Sequence, residues 1–119
     1  MTKRVKRKTL KNKANKLWKE AIWERDDDKC QYCGMPSRNA HHVVGKNNYR
    51  LRWEMLNGIN LCPKHHTLDS KFSAHKTPTI FAEWFKKTYP YRNTYIKKYV
   101  NEVWDKDYDK VFKGLKEVI

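Results

Sequence analysis

No stretch of this chain approaches the roughly 18 consecutive apolar residues that cross a bilayer, and its basic opening residues are followed by no apolar segment of the kind a secretory leader carries. Both absences predict a cytoplasmic protein. Cysteine is scarce, with three among 119 residues, which argues for reduced thiols held by a metal rather than for a disulfide scaffold. Internal repeats and Gly/Ser-rich linkers are missing too, so the length reads as a single domain, 1–119. Acid is the rarer charge: 13 Asp and Glu stand against 27 Lys and Arg, a net charge of +14. The excess lies early, since residues 1–50 hold 14 bases against 5 acids while residues 97–119 hold 6 against 5. A polyanion is the expected partner, bound mainly through phosphates and weakened by salt. An anionic membrane surface would attract the same residues but leaves the patterns described next without a purpose. With 34% charged residues and a mean hydropathy of −1.03, the chain can bury only a modest core, so folding energy from a metal fits its size.

What is present is concentrated between Cys30 and His66, which holds every cysteine and four of the five histidines. Cys30-x2-Cys33 and Cys62-x2-His65 are separated by 28 residues. Each half brings two ligands to one side of a tight turn, and together they close a tetrahedral zinc site with no cysteine left over. Gly34 suits the knuckle turn after Cys33. Setting those four aside leaves His41, His42, Asn57 and His66. Ala40-His41-His42-Val43-Val44 reads as a short strand, Asn57-Gly58-Ile59-Asn60-Leu61-Cys62 as a turn feeding a second strand, and Pro63 as the opening of a helix carrying His66.

These residues resemble the HNH endonuclease family, whose active site is a ββα-metal finger. The family's paired residues at the end of the first strand fall on His41-His42, its Asn on Asn57, and its final His on His66, at intervals of fifteen and nine residues. Asn60 is a rival for the Asn role at a less fitting interval. The chain departs from the pattern in carrying His65 where many relatives have Cys, and Ser70 where a further His would stand one turn past His66. The resemblance covers about residues 18–76 and implies a metal-dependent DNA endonuclease. In that reading His42 is the general base, His41 and His66 hold Mg2+ or another divalent cation, Asn57 orients the loop and the His42 ring, and the cut leaves a 5′-phosphate and a 3′-hydroxyl. The compact, arm-bearing form also looks like small phage-encoded HNH nucleases, which would place it in a host cytoplasm. The alternative is a zinc-dependent nucleic-acid-binding module without catalysis. A regular strand points His41 and His42 to opposite faces, so the strand has to end or bulge there for both to serve one site.

Around this finger the expected fold is α+β: a ββα-metal finger with zinc knuckles at 30–76, flanked by N-terminal and C-terminal helices. Residues 1–9 read as a basic, disordered arm, and 10–29 as a helix with Leu10, Ala14, Leu17, Trp18, Ala21 and Ile22 on its buried stripe, ended by Asp26-Asp27-Asp28. In the loop between the strands Lys46, Arg50 and Arg52 are candidate phosphate contacts, with Trp53 for the core. His75 reads as a surface or capping histidine. Thr77-Pro78 opens a helix with Ile80, Phe81, Trp84 and Phe85 inside, and from about Thr94 the positions Ile96, Val100, Val103, Trp104, Val111, Leu115 and Val118 fit one last long helix. The sequence does not decide whether that helix packs on the domain or dimerises.

Overall fold

The computed structural model describes residues 2–118, the side chains of 117 and 118 excepted. The first element is the helix α1, Lys3–Arg25. It begins well inside the stretch expected to be disordered: Thr2 Oγ1 accepts a hydrogen bond from Val5 N at 3.3 Å, and Lys and Arg are good helix formers that extend a helix already nucleated by the packed residues behind them. Residue 1 lies outside the described residues. The buried stripe is Ala14, Trp18, Ala21 and Ile22, as the helical spacing requires. Asp26 caps the last turn, and the chain reverses through Asp27 and Asp28, whose φ angles of 56° and 52° lie in the left-handed region that short polar side chains tolerate. Asp26 is no solvated turn acid. It is buried, pairs with Arg25 at 2.8 Å, and accepts the Asn60 backbone N–H at 2.9 Å, so it pins the end of α1 to the finger.

Strands β1, Ala40–His42, and β2, Gly58–Asn60, form a two-stranded antiparallel sheet in the register Ala40↔Asn60, His41↔Ile59 and His42↔Gly58. Period-2 geometry sorts these pairs by face. His41 and Ile59 face the core built with Phe81 and Phe85, while Ala40 packs with Trp18 and Trp53 on the α1 side. The strand does not bulge; it ends at His42, so the two imidazoles leave opposite faces of its last two residues. A 3-10 turn, Met55–Asn57, leads into β2. After Cys62 the expected helix is only one wide π-helical turn, Lys64–Leu68, closed by Asp69 N donating to Lys64 O at 2.8 Å. The structure is therefore a small α+β fold with a shorter helical part in the finger than the sequence suggested.

Contact between α1 and β2 depends on Gly58. A Cβ there would lie 2.5 Å from both Trp18 Cζ2 and Ile22 Cδ1, closer than packed atoms tolerate. We expect Gly58→Ala to destabilise the fold by about 1–3 kcal/mol, the usual cost of overpacking; an unchanged urea midpoint would show that α1 lifts off the sheet at no cost.

Helix α2, Pro78–Thr88, starts where Thr77-Pro78 predicted. Phe81 and Phe85 are buried and Trp84 is packed against them, but Ile80 is half exposed. The last part of the chain corrects the single long helix. It is two helices, α3, Pro90–Tyr99, and α4, Tyr108–Val118. Pro90 opens α3 earlier than expected because its fixed φ and missing N–H suit a first helical position. The break at 100–107 contains Lys106 at φ 63°, and Asp107 Oδ1 caps α4 by accepting Lys110 N at 3.1 Å. Val103 is consequently 87% exposed rather than buried, whereas Trp104 packs against Tyr49 and Trp53. Leu115 of α4 is buried with Ala14, Trp18 and Trp53, which answers the packing question in favour of the domain; the Val118 side chain lies outside the described residues. No helix among the described residues is long and apolar enough to cross a membrane.

Candidate metal centres

Cys30, Cys33, Cys62 and His65 come together with their ligand atoms all within 4.8 Å of one another. The first pair sits on a knuckle in which Gly34 N donates to Cys30 O at 2.8 Å and Cys30 N to Met35 O at 2.8 Å. Gly34 has φ 77°, the conformation that makes glycine the cheap choice after the second cysteine. Cys33 Sγ and Cys62 Sγ are 3.7 Å apart, and His65 Nδ1 lies 3.9 Å from Cys30 Sγ and 3.2 Å from Cys62 Sγ. A tetrahedral ion with Zn–S near 2.3 Å and Zn–N near 2.05 Å has edges of about 3.8 Å and about 3.6 Å, so the four residues are positioned to hold a metal ion of that size. Burial opposes ionisation of Cys30, but backbone hydrogen bonds from Cys62, Cys33 and Tyr32 more than offset it and leave the thiol below its ordinary range. Tyr32 covers the site, its ring 4.7 Å from His65 and stacked at 3.7 Å on Phe72.

A second group lies on the other side of the same turn. His41, His66 and His75 also have ligand atoms within 4.8 Å of one another, with ring centroids 4.9, 5.1 and 4.7 Å apart. His66 Nε2 and His75 Nε2 approach to 3.1 Å, close to the separation of two nitrogens on one metal, about 3.3 Å for M–N distances near 2.05 Å. His75 is exposed, as the sequence reading has it, but it is not isolated: its ring joins the other two. The chain doubles back after the π-helical turn, with Ala74 N donating to His65 O and His75 N to His66 O, and that return carries His75 into the group. The available signal was a two-histidine site short of a third protein ligand, in a chain whose fifth histidine had no other partner. Asn39 was missed as well; its amide lies 2.9 Å from His66 Nδ1. Its Nδ2 faces Nδ1 and donates to it, which leaves the proton of the neutral ring on Nε2; turning the amide over would let its oxygen accept Nδ1–H and free Nε2 for a ligand bond.

Burial first, then the fields of His66, His75 and His42, push His41 down to about 3. His66 is lowered by burial and by His75. At neutral pH both rings therefore keep the lone pairs that a metal needs, and protons compete for them only in acid.

His42 is outside this group. Its ring stacks on Trp18 at 4.0 Å and 9°, and its Nε2 sits 3.0 Å from Arg52 O. A carbonyl only accepts, so Nε2 carries the proton and Nδ1 keeps its lone pair. Burial, helped by Arg52, Lys46 and Lys19, pushes this imidazole down to about 4, so it is neutral near pH 7. Asn57 is fully buried and clamps the inter-strand loop: Oδ1 accepts Val44 N at 2.7 Å, while Nδ2 donates to Val44 O and Leu51 O at 3.0 and 3.1 Å. The Leu51 it holds adjoins Arg52, whose carbonyl orients His42. The rival, Asn60, holds a different segment, accepting Asn39 N and donating to Ser37 O.

Of the three basic residues proposed for phosphates, only Lys46 has its side chain in solvent. Arg52 is buried, donating to Asn15 Oδ1 and Lys46 O. Arg50 forms ion pairs with Glu54 at 2.7 Å and Glu102 at 2.8 Å. Arg52 thus ties the loop to α1 and Arg50 ties it to the segment after α3, so of the three only Lys46 presents a side chain without an intramolecular ion pair or hydrogen bond among the described residues. No known protein family, curated protein or solved structure matches the chain.

Proposed function

We propose that this chain is a metal-dependent DNA endonuclease of the HNH kind, with zinc in the Cys30, Cys33, Cys62 and His65 site. The observation that carries the reading is the convergence of His41, His66 and His75 beside the strand whose last residue, His42, presents a neutral imidazole with an unprotonated Nδ1. A nucleic-acid-binding module would need the Cys3His site alone. Hydrolysis needs a base for water and a counter-charge for the phosphate, and both are supplied by residue types suited to them.

Because His41 and His42 leave opposite faces, the scissile phosphate has to lie past the end of β1, where the two faces meet. There His42 Nδ1 takes a proton from water as the water oxygen bonds to phosphorus and the bond to the 3′ oxygen breaks. The departing 3′ oxygen takes a proton from solvent, and products with a 5′-phosphate and a 3′-hydroxyl follow. Held by the three histidines, a divalent cation would act as a Lewis acid on phosphate oxygens. Asn57 keeps the loop, and through it the Arg52 carbonyl, in the place that fixes the His42 tautomer. An all-imidazole donor set suits zinc, nickel or a similar transition ion better than Mg2+, which prefers carboxylate and water oxygens.

The test is conversion of supercoiled plasmid by the zinc-loaded protein with Ni2+, Mn2+ or Mg2+ added. Nicked or linear product is expected, with Mg2+ the poorest support; no conversion with any ion refutes the proposal. His75→Ala is expected to weaken the second ion's binding by at least about tenfold in calorimetric titration, since even indirect supports of a metal site cost that much. Unchanged affinity would remove His75 from the site.

A further inference from the structure

The buried stripe of α1 does not stop at the edge of the core; it changes chemistry. Along one face, in threes and fours toward the N-terminus from Ile22 through Trp18 and Ala14, the next positions are Lys11, Arg7 and Arg4. Lys11 marks the boundary, with Nζ 5.4 Å from the Tyr49 ring centroid. Beyond it, residues 2–9 are all exposed, so no described residue covers any face of the first two turns. From Lys3 to Lys19 there are nine Lys and Arg and no acid. Like charges at Lys3 and Arg7, or Arg4 and Lys8, repel along the helix by a few tenths of a kcal/mol per pair, and no acidic side chain of the chain is paired with them among the described residues.

We infer that the overhanging first half of α1 is a docking surface for the backbone of duplex DNA, gripping phosphates through Lys3, Arg4 and Arg7 on one side of the cutting site. This rests on the nuclease reading for the choice of DNA. The charge complementarity is with a polyanion rather than a bilayer, because an interfacial helix needs an apolar face and Val5 is the one apolar residue between Lys3 and Thr9. Geometry sets the reach. Trp18 stacks on His42, and Arg4 lies fourteen residues earlier, about 21 Å along the helix axis. That span corresponds to about six base pairs.

The experiment measures anisotropy of a labelled 20-base-pair duplex against salt for three proteins. They are the wild type, the triple variant Lys3→Gln, Arg4→Gln, Arg7→Gln, and a control of equal charge, Lys86→Gln, Lys87→Gln, Lys97→Gln, on exposed sites of α2 and α3. Gln keeps helix propensity. The arm variant is expected to bind at least about tenfold more weakly and to lower the salt slope by up to about 2.7, or about 0.9 for each phosphate no longer neutralised; the control stays within about twofold of wild type. Equal loss in both variants reduces the effect to net charge and overturns the proposal, as does an unchanged arm variant or a wild type that does not bind duplex. Loss of binding only to vesicles containing phosphatidylserine, with duplex binding intact, reassigns the surface to lipid. Plasmid cutting by the same samples separates the two readings. Arm-dependent binding without cutting retires the nuclease and keeps the docking surface, and cutting without arm dependence does the reverse.

Discussion

Cys30→Ser is expected to leave the chain unfolded in buffer. Its apolar residues are divided between two small cores, one around Ile59, Leu61, Phe81 and Phe85 and one around Trp18, Trp53 and Leu115. The two-stranded sheet and the single turn after Cys62 could not stand alone. Zinc bound to such a site contributes on the order of 10 kcal/mol, as much as the whole stability of a small domain. Cys30 is itself buried at the junction of the knuckle and the larger core, so the replacement would remove one of the four candidate ligands and put a hydroxyl in place of the thiol. Circular dichroism of the variant should lose its helical signal, metal analysis should find no stoichiometric zinc, and a strong chelator should do the same to wild type. A Cys30→Ser protein that stays folded without metal would falsify the structural role of the site.

Under the nuclease proposal, the loss expected at His42 is catalytic rather than structural. Removing a positioned general base typically costs 10²–10⁴-fold, and plasmid cutting by His42→Ala should fall by about that factor. Alanine also takes away the stacking on Trp18, worth about 0.5–1.5 kcal/mol beyond the buried area, so a second variant separates the effects. His42→Gln fills part of the space and can still donate to the Arg52 carbonyl, yet has no basic nitrogen. Both variants should retain zinc and bind DNA like wild type. Cutting by His42→Gln at the wild-type rate would mean that water is activated elsewhere, whereas loss of zinc or of the fold would mean that the ring serves mainly to seat α1.

The clustering of Cys30, Cys33, Cys62 and His65 was legible because tight turns tie geometry to sequence spacing, and the opposite faces of His41 and His42 followed from strand periodicity alone. Other features depended on where distant segments meet. His75 reaches His66 only through the return after the π-helical turn, and Asn39 reaches it from the residue before β1. Three consecutive acids gave no sign that one, Asp26, is buried against Arg25 while its neighbours take the turn. Arg50 and Arg52 sit in a basic loop that reads as a phosphate grip until Glu54, Glu102 and Asn15 are found around them. Local propensity misjudged the chain at both ends for a common reason: Lys-rich residues 3–9 continue a helix whose anchor lies further along, and the apolar periodicity from residue 96 runs through a break that Asp107 and Lys106 impose.

His65 and His66 are neighbours in one wide turn, yet each falls in a different candidate ligand group. A single peptide bond thus joins the two groups, so an ion bound by one would bear on the other. An ion held by Cys30, Cys33, Cys62 and His65 would fix the turn that presents His66 to His41 and His75. Under the nuclease proposal, the imidazole group would then gain affinity from occupancy of the thiolate group, and the chemistry that depends on it would follow the zinc.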